Sequence, residues 1–87
     1  MRKYADCPGV VREFLSYHET IKAQSPRTIA EYHLDLRMFL RFMKLMRAGK
    51  SLNVPFEDVD ILDIDLDFVG SITTSDVYEF LSWLAND

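Results

Sequence analysis

Apolar residues recur every three or four positions along much of the chain, which is the spacing of a buried helix face. The longest such stretch predicts a helix from Pro26 to about Ala48, with Ser25 as its N-cap and Gly49 as its C-cap. Its main apolar face comprises Ile29, Tyr32, Leu36, Phe39, Leu40, Met43 and Met46. A second apolar sector of the same helix comprises Leu34, Met38, Phe42 and Leu45. Two apolar sectors predict that other helices pack on both sides of this one.

Shorter segments complete the predicted architecture. A first helix is expected with Pro8 just inside its start and its end near Lys22. A last helix follows Thr73, which with Asp76 has the spacing of a capping box, and its apolar stripe comprises Val77, Phe80, Leu81 and Leu84. Residues 59–69 alternate like an edge strand, but a lone strand has no partner, so helical turns are favoured. The predicted fold class is all-α, a small bundle of about four helices.

Composition limits the class of protein. A chain of 87 residues, of which 48% are hydrophobic, has room for one small domain with a packed core. The single cysteine, Cys7, excludes an internal disulfide and is typical of a reducing compartment, so a cytoplasmic location is expected. No apolar run is long enough to span a bilayer, so no membrane partner is expected.

Charge is distributed unevenly, although the net charge is only −4. Residues 22–50 carry a balance of +5, whereas residues 51–87 contain nine acids and no Lys or Arg. The spacing of Arg37, Arg41 and Lys44 predicts an exposed basic stripe on the long helix, between its two apolar sectors. Such a stripe is suited to binding DNA phosphates, and the acidic end is expected to turn away from the DNA.

Patterns typical of catalysis or metal binding are missing from the sequence. The acids of residues 63–67 resemble the start of a calcium loop, but Phe68 and Thr74 occupy the positions that require Gly and Glu. The two histidines, His18 and His33, lack the spacing of a zinc motif. The sequence therefore predicts no catalytic residues, no metal, no cofactor and no small-molecule substrate.

Several short stretches, taken in order, resemble the N-terminal core-binding domain of tyrosine recombinases, the phage integrase and Xer-type family. They are Phe14-Leu15 with Tyr17, then Ser25-Pro26-Arg27-Thr28 leading into Tyr32, Leu36-Arg37, Phe39 and Phe42, and last Ile72-Thr73 with Asp76-Val77 and Phe80-Leu81. The resemblance covers roughly Pro8 to Leu84 and implies a SAM-like bundle of the integrase N-terminal type.

The catalytic half of that family, with its nucleophilic Tyr and a His-x-x-Arg pair, is not recognisable in the chain. In such a pair the Arg follows the His by three positions. That position is Leu36 for His33 and Ile21 for His18, so neither histidine fits. Residues 1–87 are therefore expected to form a single core-binding domain without enzymatic activity. Its parent protein would be a tyrosine recombinase, and the catalytic domain would lie outside this chain.

The resemblance implies that the domain clamps duplex DNA near the strand-exchange site, for DNA integration or recombination. The residues expected near phosphate lie at the start of the long helix and along its basic stripe, and they are Lys22, Ser25, Arg27, Thr28, Arg37, Arg41 and Lys44. The implied partners are double-stranded DNA and sister recombinase subunits.

Two other functional classes stay open from the sequence alone. A helical protein-interaction module would use the same fold and dock through its acidic segment, residues 57–67. A standalone DNA-binding regulator is the other alternative, although no helix-turn-helix with a short Gly turn is recognisable.

Overall fold

The fold is known from a computed structural model, which describes residues 7–49 and 54–86. These ranges contain four α-helices, namely α1 (Gly9–Thr20), α2 (Pro26–Ala48), α3 (Leu66–Gly70) and α4 (Thr74–Ala85), and a 3₁₀ turn at Phe56–Asp58. No strand is present in the described part, so the predicted all-α bundle is confirmed.

The central helix of the bundle is α2, because α1, the 3₁₀ turn and α4 all pack against it. The Ser25 hydroxyl oxygen caps its start by accepting a hydrogen bond from the backbone N–H of Thr28 at 3.2 Å. The helix ends at Ala48, where Gly49 adopts a φ of 60°, a value that favours glycine. The predicted bounds of this helix are therefore confirmed.

The first helix is slightly shorter than predicted. Pro8 is its N-cap residue rather than its first helical residue, and the helix ends at Thr20 rather than near Lys22. The C-terminal difference has a local cause. The backbone N–H of Lys22 donates to the Tyr17 carbonyl at 3.2 Å, and Ala23 then adopts a φ of 53°, which no right-handed helix can continue.

The hydrophobic core lies between α1, α2 and the segment that precedes α3. Its buried members are Cys7, Val11, Leu15, Ile29, Leu40, Ile61 and Ile64. Burying one Leu or Ile side chain typically contributes about 1.5–3 kcal/mol. Because Leu15 of α1 and Ile29 of α2 both belong to this cluster, the two helices are fixed relative to each other at the start of α2.

Residues 59–69, whose sequence alternates like an edge strand, form a loop with one turn and then the start of α3, so the favoured helical structure is confirmed from Leu66 onward. Residues 50–53, which precede this stretch, lie outside the described residues. Val59, Ile61 and Ile64 point into the protein and are buried, while the acids between them remain exposed. The strand-like alternation therefore belongs to a loop that inserts one side chain every few residues into the core.

The cap of the last helix is confirmed as a capping box. The carboxylate of Asp76 accepts a hydrogen bond from the Thr73 backbone N–H at 2.8 Å. In return, the Thr73 hydroxyl oxygen accepts one from the Asp76 backbone N–H at 3.2 Å.

Aromatic rings, rather than the whole predicted apolar stripe, pack α4 against α2. The ring of Phe80 lies 5.0 Å from that of Phe39 and 5.3 Å from that of Phe42. Trp83, which the predicted stripe did not include, lies 5.3 Å from the Phe42 ring. Phe80 thus packs as predicted, but the other members of the stripe are exposed, and they are Val77, Leu81 and Leu84.

The second apolar sector of α2 is covered at one end only. Phe42 is buried against α4, whereas Leu34 and Met38 are 52% and 37% exposed. The reason is length, because α4 has 12 residues and α2 has 23, or about 18 Å against about 35 Å. The prediction that helices cover both sides of α2 therefore holds for its C-terminal half alone.

Candidate nucleic-acid interface

The seven residues predicted to lie near phosphate fall into two groups. The connection group (Lys22, Ser25, Arg27 and Thr28) occupies the link between α1 and α2 and the first turn of α2. The basic stripe (Arg37, Arg41 and Lys44) lies in the second half of α2. The structure places these two groups in different surroundings.

The hydroxyls of the connection group belong to the helix cap. The Ser25 hydroxyl accepts from the Thr28 N–H and donates to the Thr28 hydroxyl oxygen at 3.0 Å. Pro26 has no N–H, so Arg27 carries the first backbone N–H of the helix, and helix geometry gives that group no intrahelical acceptor. Together with the positive end of the helix dipole, this first turn is suited to an anion.

The two cations of the connection group are exposed to solvent. Lys22 lies in the link itself, on the surface. The Nε atom of Arg27 is 3.3 Å from a Glu31 carboxylate oxygen, and these side chains are 90% and 62% exposed. An ion pair this exposed to water typically contributes less than about 1 kcal/mol to the free energy of unfolding. The guanidinium of Arg27 is therefore available to a phosphate.

One side chain joins the link to both helices. The backbone N–H of Gln24 donates to the His18 carbonyl at 3.0 Å, and its side-chain oxygen is 2.8 Å from His18 Nδ1. The side-chain nitrogen of Gln24 donates to the Tyr32 hydroxyl at 3.4 Å. Gln24 was not among the predicted site residues, since nothing in its sequence context distinguishes it from an ordinary loop amide.

An aromatic cluster surrounds the His18 partner of Gln24. The His18 ring lies 4.3 Å from that of Phe14, 5.3 Å from that of Tyr17 and 5.6 Å from that of Tyr32. The end of α1 and the start of α2 are therefore joined by ring packing as well as by hydrogen bonds.

The basic stripe is half-buried rather than exposed, contrary to the prediction. Lys44 Nζ donates to a carboxylate oxygen of Asp63 at 2.6 Å, and this hydrogen bond holds the pKa of Asp63 below its usual value. Arg37 and Arg41 are also half-buried, and Arg41 Nε is buried with no hydrogen-bond partner among the described residues. The Lys44–Asp63 hydrogen bond shows that the segment around Asp63 folds back onto α2 at Lys44.

A further cation of α2, Arg47, is held on the surface by contacts within the chain. Its Nη1 donates to the Ser71 hydroxyl at 2.6 Å, its Nη2 is 3.8 Å from an Asp76 carboxylate oxygen, and its guanidinium lies 4.5 Å above the Phe68 ring. Carboxylates of the acidic last third therefore contact the C-terminal half of α2. The acidic end of the chain thus lies against the basic helix.

The described acids form no metal centre. Within residues 7–49 and 54–86, no three His, Cys, Asp or Glu side chains form a group that could hold a metal ion. Instead, Asp65 caps α3 by accepting a hydrogen bond from the Phe68 N–H at 2.9 Å, and Asp63 pairs with Lys44. No helix of the same ranges is long and apolar enough to cross a membrane.

Comparison with known proteins identifies a relative. The chain is 42% identical over 80 residues to the tyrosine recombinase XerC of Caldanaerobacter subterraneus subsp. tengcongensis. The aligned part amounts to 92% of this chain and 23% of that protein, so the chain spans about a quarter of the relative's length. No protein-family model and no solved structure match the chain. The similarity to XerC confirms the family resemblance that the sequence indicated.

Proposed function

We propose that this chain, a domain of the tyrosine recombinase family, is the core-binding domain of a larger recombinase and clamps duplex DNA near the site of strand exchange. The observation that carries the proposal is its similarity to a tyrosine recombinase along 92% of its own length. The parent protein would act in the cytoplasm on double-stranded DNA, together with sister subunits. Cleavage and religation would depend on a catalytic domain outside residues 1–87.

The connection group is the part of the surface best suited to the first contact with DNA. It combines the exposed cations Lys22 and Arg27 with a helix N-terminus, and both features favour phosphate oxygens. Contacts to phosphate oxygens do not distinguish one base pair from another. The binding that we propose is therefore electrostatic, independent of sequence and sensitive to salt.

The basic stripe has a secondary role in this proposal. Because Lys44 is hydrogen-bonded to Asp63, a phosphate must compete with a carboxylate already in place. Arg37 and Arg41 present less of their side chains to solvent than Arg27 does. Contacts from the stripe would add to those of the connection group without replacing them.

The alternative of a protein-interaction module docking through residues 57–67 has less support. Three carboxylates of that segment already accept hydrogen bonds inside the chain, and they belong to Asp60, Asp63 and Asp65. Sister subunits would instead meet apolar surface, for which the exposed side chains of α4 are available, namely Val77, Leu81 and Leu84.

The decisive experiment measures duplex binding by fluorescence anisotropy over a series of salt concentrations. Replacing Lys22 and Arg27 together by Gln should weaken binding by about eightfold per lost phosphate contact at about 0.1 M salt. The slope of log affinity against log salt should fall by about 0.9 per contact. The matched control, Ser75→Glu with Ser82→Glu, makes the same change in net charge on exposed positions of α4 and should retain the parent slope.

The outcomes separate the two groups of cations. If the Lys22/Arg27 variant behaves like its control while Arg37→Gln with Arg41→Gln weakens binding, the contact surface lies at the stripe. If the parent chain does not bind the duplex even at low salt, the proposed DNA-binding function is wrong.

The absence of catalysis by this chain is tested separately. We expect no covalent adduct between the chain and a nicked suicide duplex, because a nucleophilic Tyr requires activating groups beside it. A Tyr-linked adduct would show that the chain has chemistry of its own.

A further inference from the structure

The link between α1 and α2 contains a strained residue. Ala23 has a φ of 53°, the one positive φ found at a non-glycine residue in the described part. An L-residue persists in this region where its surroundings impose it. The link is therefore held in a particular shape by contacts around Ala23.

Those contacts converge on Gln24, the next residue. Its backbone N–H is bonded to α1, and its half-buried side chain reaches His18 on α1 and Tyr32 on α2. The residue before Ala23 and the residue after Gln24 are Lys22 and Ser25, both members of the connection group. One amide thus fixes the backbone from which the group projects.

We infer that Gln24 is a positioning residue for phosphate binding. This inference rests on the DNA-binding function proposed above. Gln24 is not expected to touch DNA itself. Its bonds to both helices keep Lys22 at a constant position relative to the first turn of α2. A link ordered in advance loses less conformational freedom when a phosphate binds, so the contact is stronger.

The test uses the full 87-residue chain with Gln24→Met, which keeps the length of the side chain and removes its amide. The expected result is about eightfold weaker duplex binding at about 0.1 M salt and a salt slope lower by about 0.9, the equivalent of one phosphate contact. Ser71→Ala is the matched control, because it removes a side-chain hydrogen bond at the other end of α2. It should retain the parent affinity and slope.

A merely structural role would leave the salt slope unchanged. If Gln24→Met unfolds at lower denaturant concentration but keeps the parent slope, the inference is wrong. If Gln24→Met does not fold, His18→Phe replaces it, since that variant keeps an aromatic ring and removes the Nδ1 partner of Gln24. If a folded His18→Phe chain has the same slope of log affinity against log salt as the parent chain, the inference is also wrong.

Failure of this inference can be told apart from failure of the proposed function. If the Lys22/Arg27 variant weakens binding and Gln24→Met does not, the DNA contact stands and the positioning role is wrong. If neither variant changes binding while the parent chain still binds the duplex, the connection group is not the contact surface. The positioning role of Gln24 is then wrong, whereas the proposed DNA-binding function fails only if the parent chain does not bind.

Discussion

The two ends of α2 use their charged side chains differently. At the N-terminal end, Lys22 and Arg27 face solvent, and the partner of Arg27 is itself exposed. In the C-terminal half, Lys44 and Arg47 are paired with carboxylates of the acidic last third of the chain. A basic stretch of sequence is therefore not the same as a basic surface. Part of the positive charge of residues 22–50 is neutralised within the fold.

The two ends also differ in how they are joined to the rest of the bundle. Neutral hydrogen bonds and aromatic rings connect α1 to the start of α2, through His18, Gln24 and Tyr32. Charged contacts are added at the other end, through Lys44 and Arg47. Since salt screens exposed charges and leaves neutral contacts almost unaffected, we expect the C-terminal end to be the more salt-sensitive of the two.

The largest expected effect comes from breaking the N-terminal end. Leu15→Ala should lower the free energy of unfolding by about 3 kcal/mol, within the usual range for a buried Leu, because Leu15 lies in the cluster that fixes α1 on α2. Urea denaturation measures the change. Leu34→Ala serves as the control on an exposed position of α2 and should change stability by no more than about 0.5 kcal/mol. Equal losses in both variants would place Leu15 outside the core.

A smaller effect is expected from breaking the C-terminal end. Phe80→Ala should destabilise the chain by about 2 kcal/mol, less than a fully buried Phe, because Phe80 is half-buried between α4 and the rings of Phe39 and Phe42. Hydrogen exchange should show faster exchange confined mainly to α4. Tyr78→Ala, on the exposed side of the same helix, is the control. Uniformly faster exchange in α1 and α4 would contradict the separation of the two ends.

The next prediction tests whether the ion pair between Lys44 and Asp63 limits DNA binding by the basic stripe. Asp63→Asn releases Lys44 and should strengthen duplex binding by up to about eightfold at about 0.1 M salt, the value of one additional phosphate contact. Asp35→Asn removes the same charge from an exposed position on α2 and controls for net charge. Anisotropy titrations compare the two variants. Equal gains would mean that Lys44 contributes nothing beyond overall charge.

The smallest effect concerns pH. The hydrogen bond from Lys44 lowers the pKa of Asp63 in the folded chain, so the deprotonated carboxylate stabilises the fold. This contribution should be fully present above the unfolded pKa of about 3.9 and lost as the pH falls through the lower folded pKa. The stability difference between the parent and Asp63→Asn, below about 1 kcal/mol for so exposed a pair, should therefore vanish in acid. A difference that persists there would exclude the ion pair as its cause.

The features that could be predicted from the sequence are those determined by neighbouring residues. Ser25 and Gly49 mark the ends of α2, and Thr73 with Asp76 marks the start of α4, because caps depend on residues within one turn. The periodicity of α2 was sufficient to identify it as the central helix.

The features that could not be predicted depend on residues far apart in the chain. Lys44 and Asp63 are separated by 19 positions, and no local pattern indicates that they meet. The use of Trp83 as an anchor likewise follows from how α4 crosses α2. The seven residues predicted near phosphate stay a prediction, although their surroundings now divide them into two groups.

The pairing of charges along α2 also bears on how the domain approaches a polyanion. Solvent-exposed cations and the positive end of the helix dipole lie at one end of a helix about 35 Å long, and carboxylates of the acidic last third contact the other end. In the electric field of a DNA duplex, such a molecule experiences a torque that turns the N-terminal end of α2 toward the phosphates. If the chain binds DNA as proposed, the turning would act within about 10 Å of the phosphates at about 0.1 M salt, and the asymmetry would raise the rate of productive encounters before any contact forms.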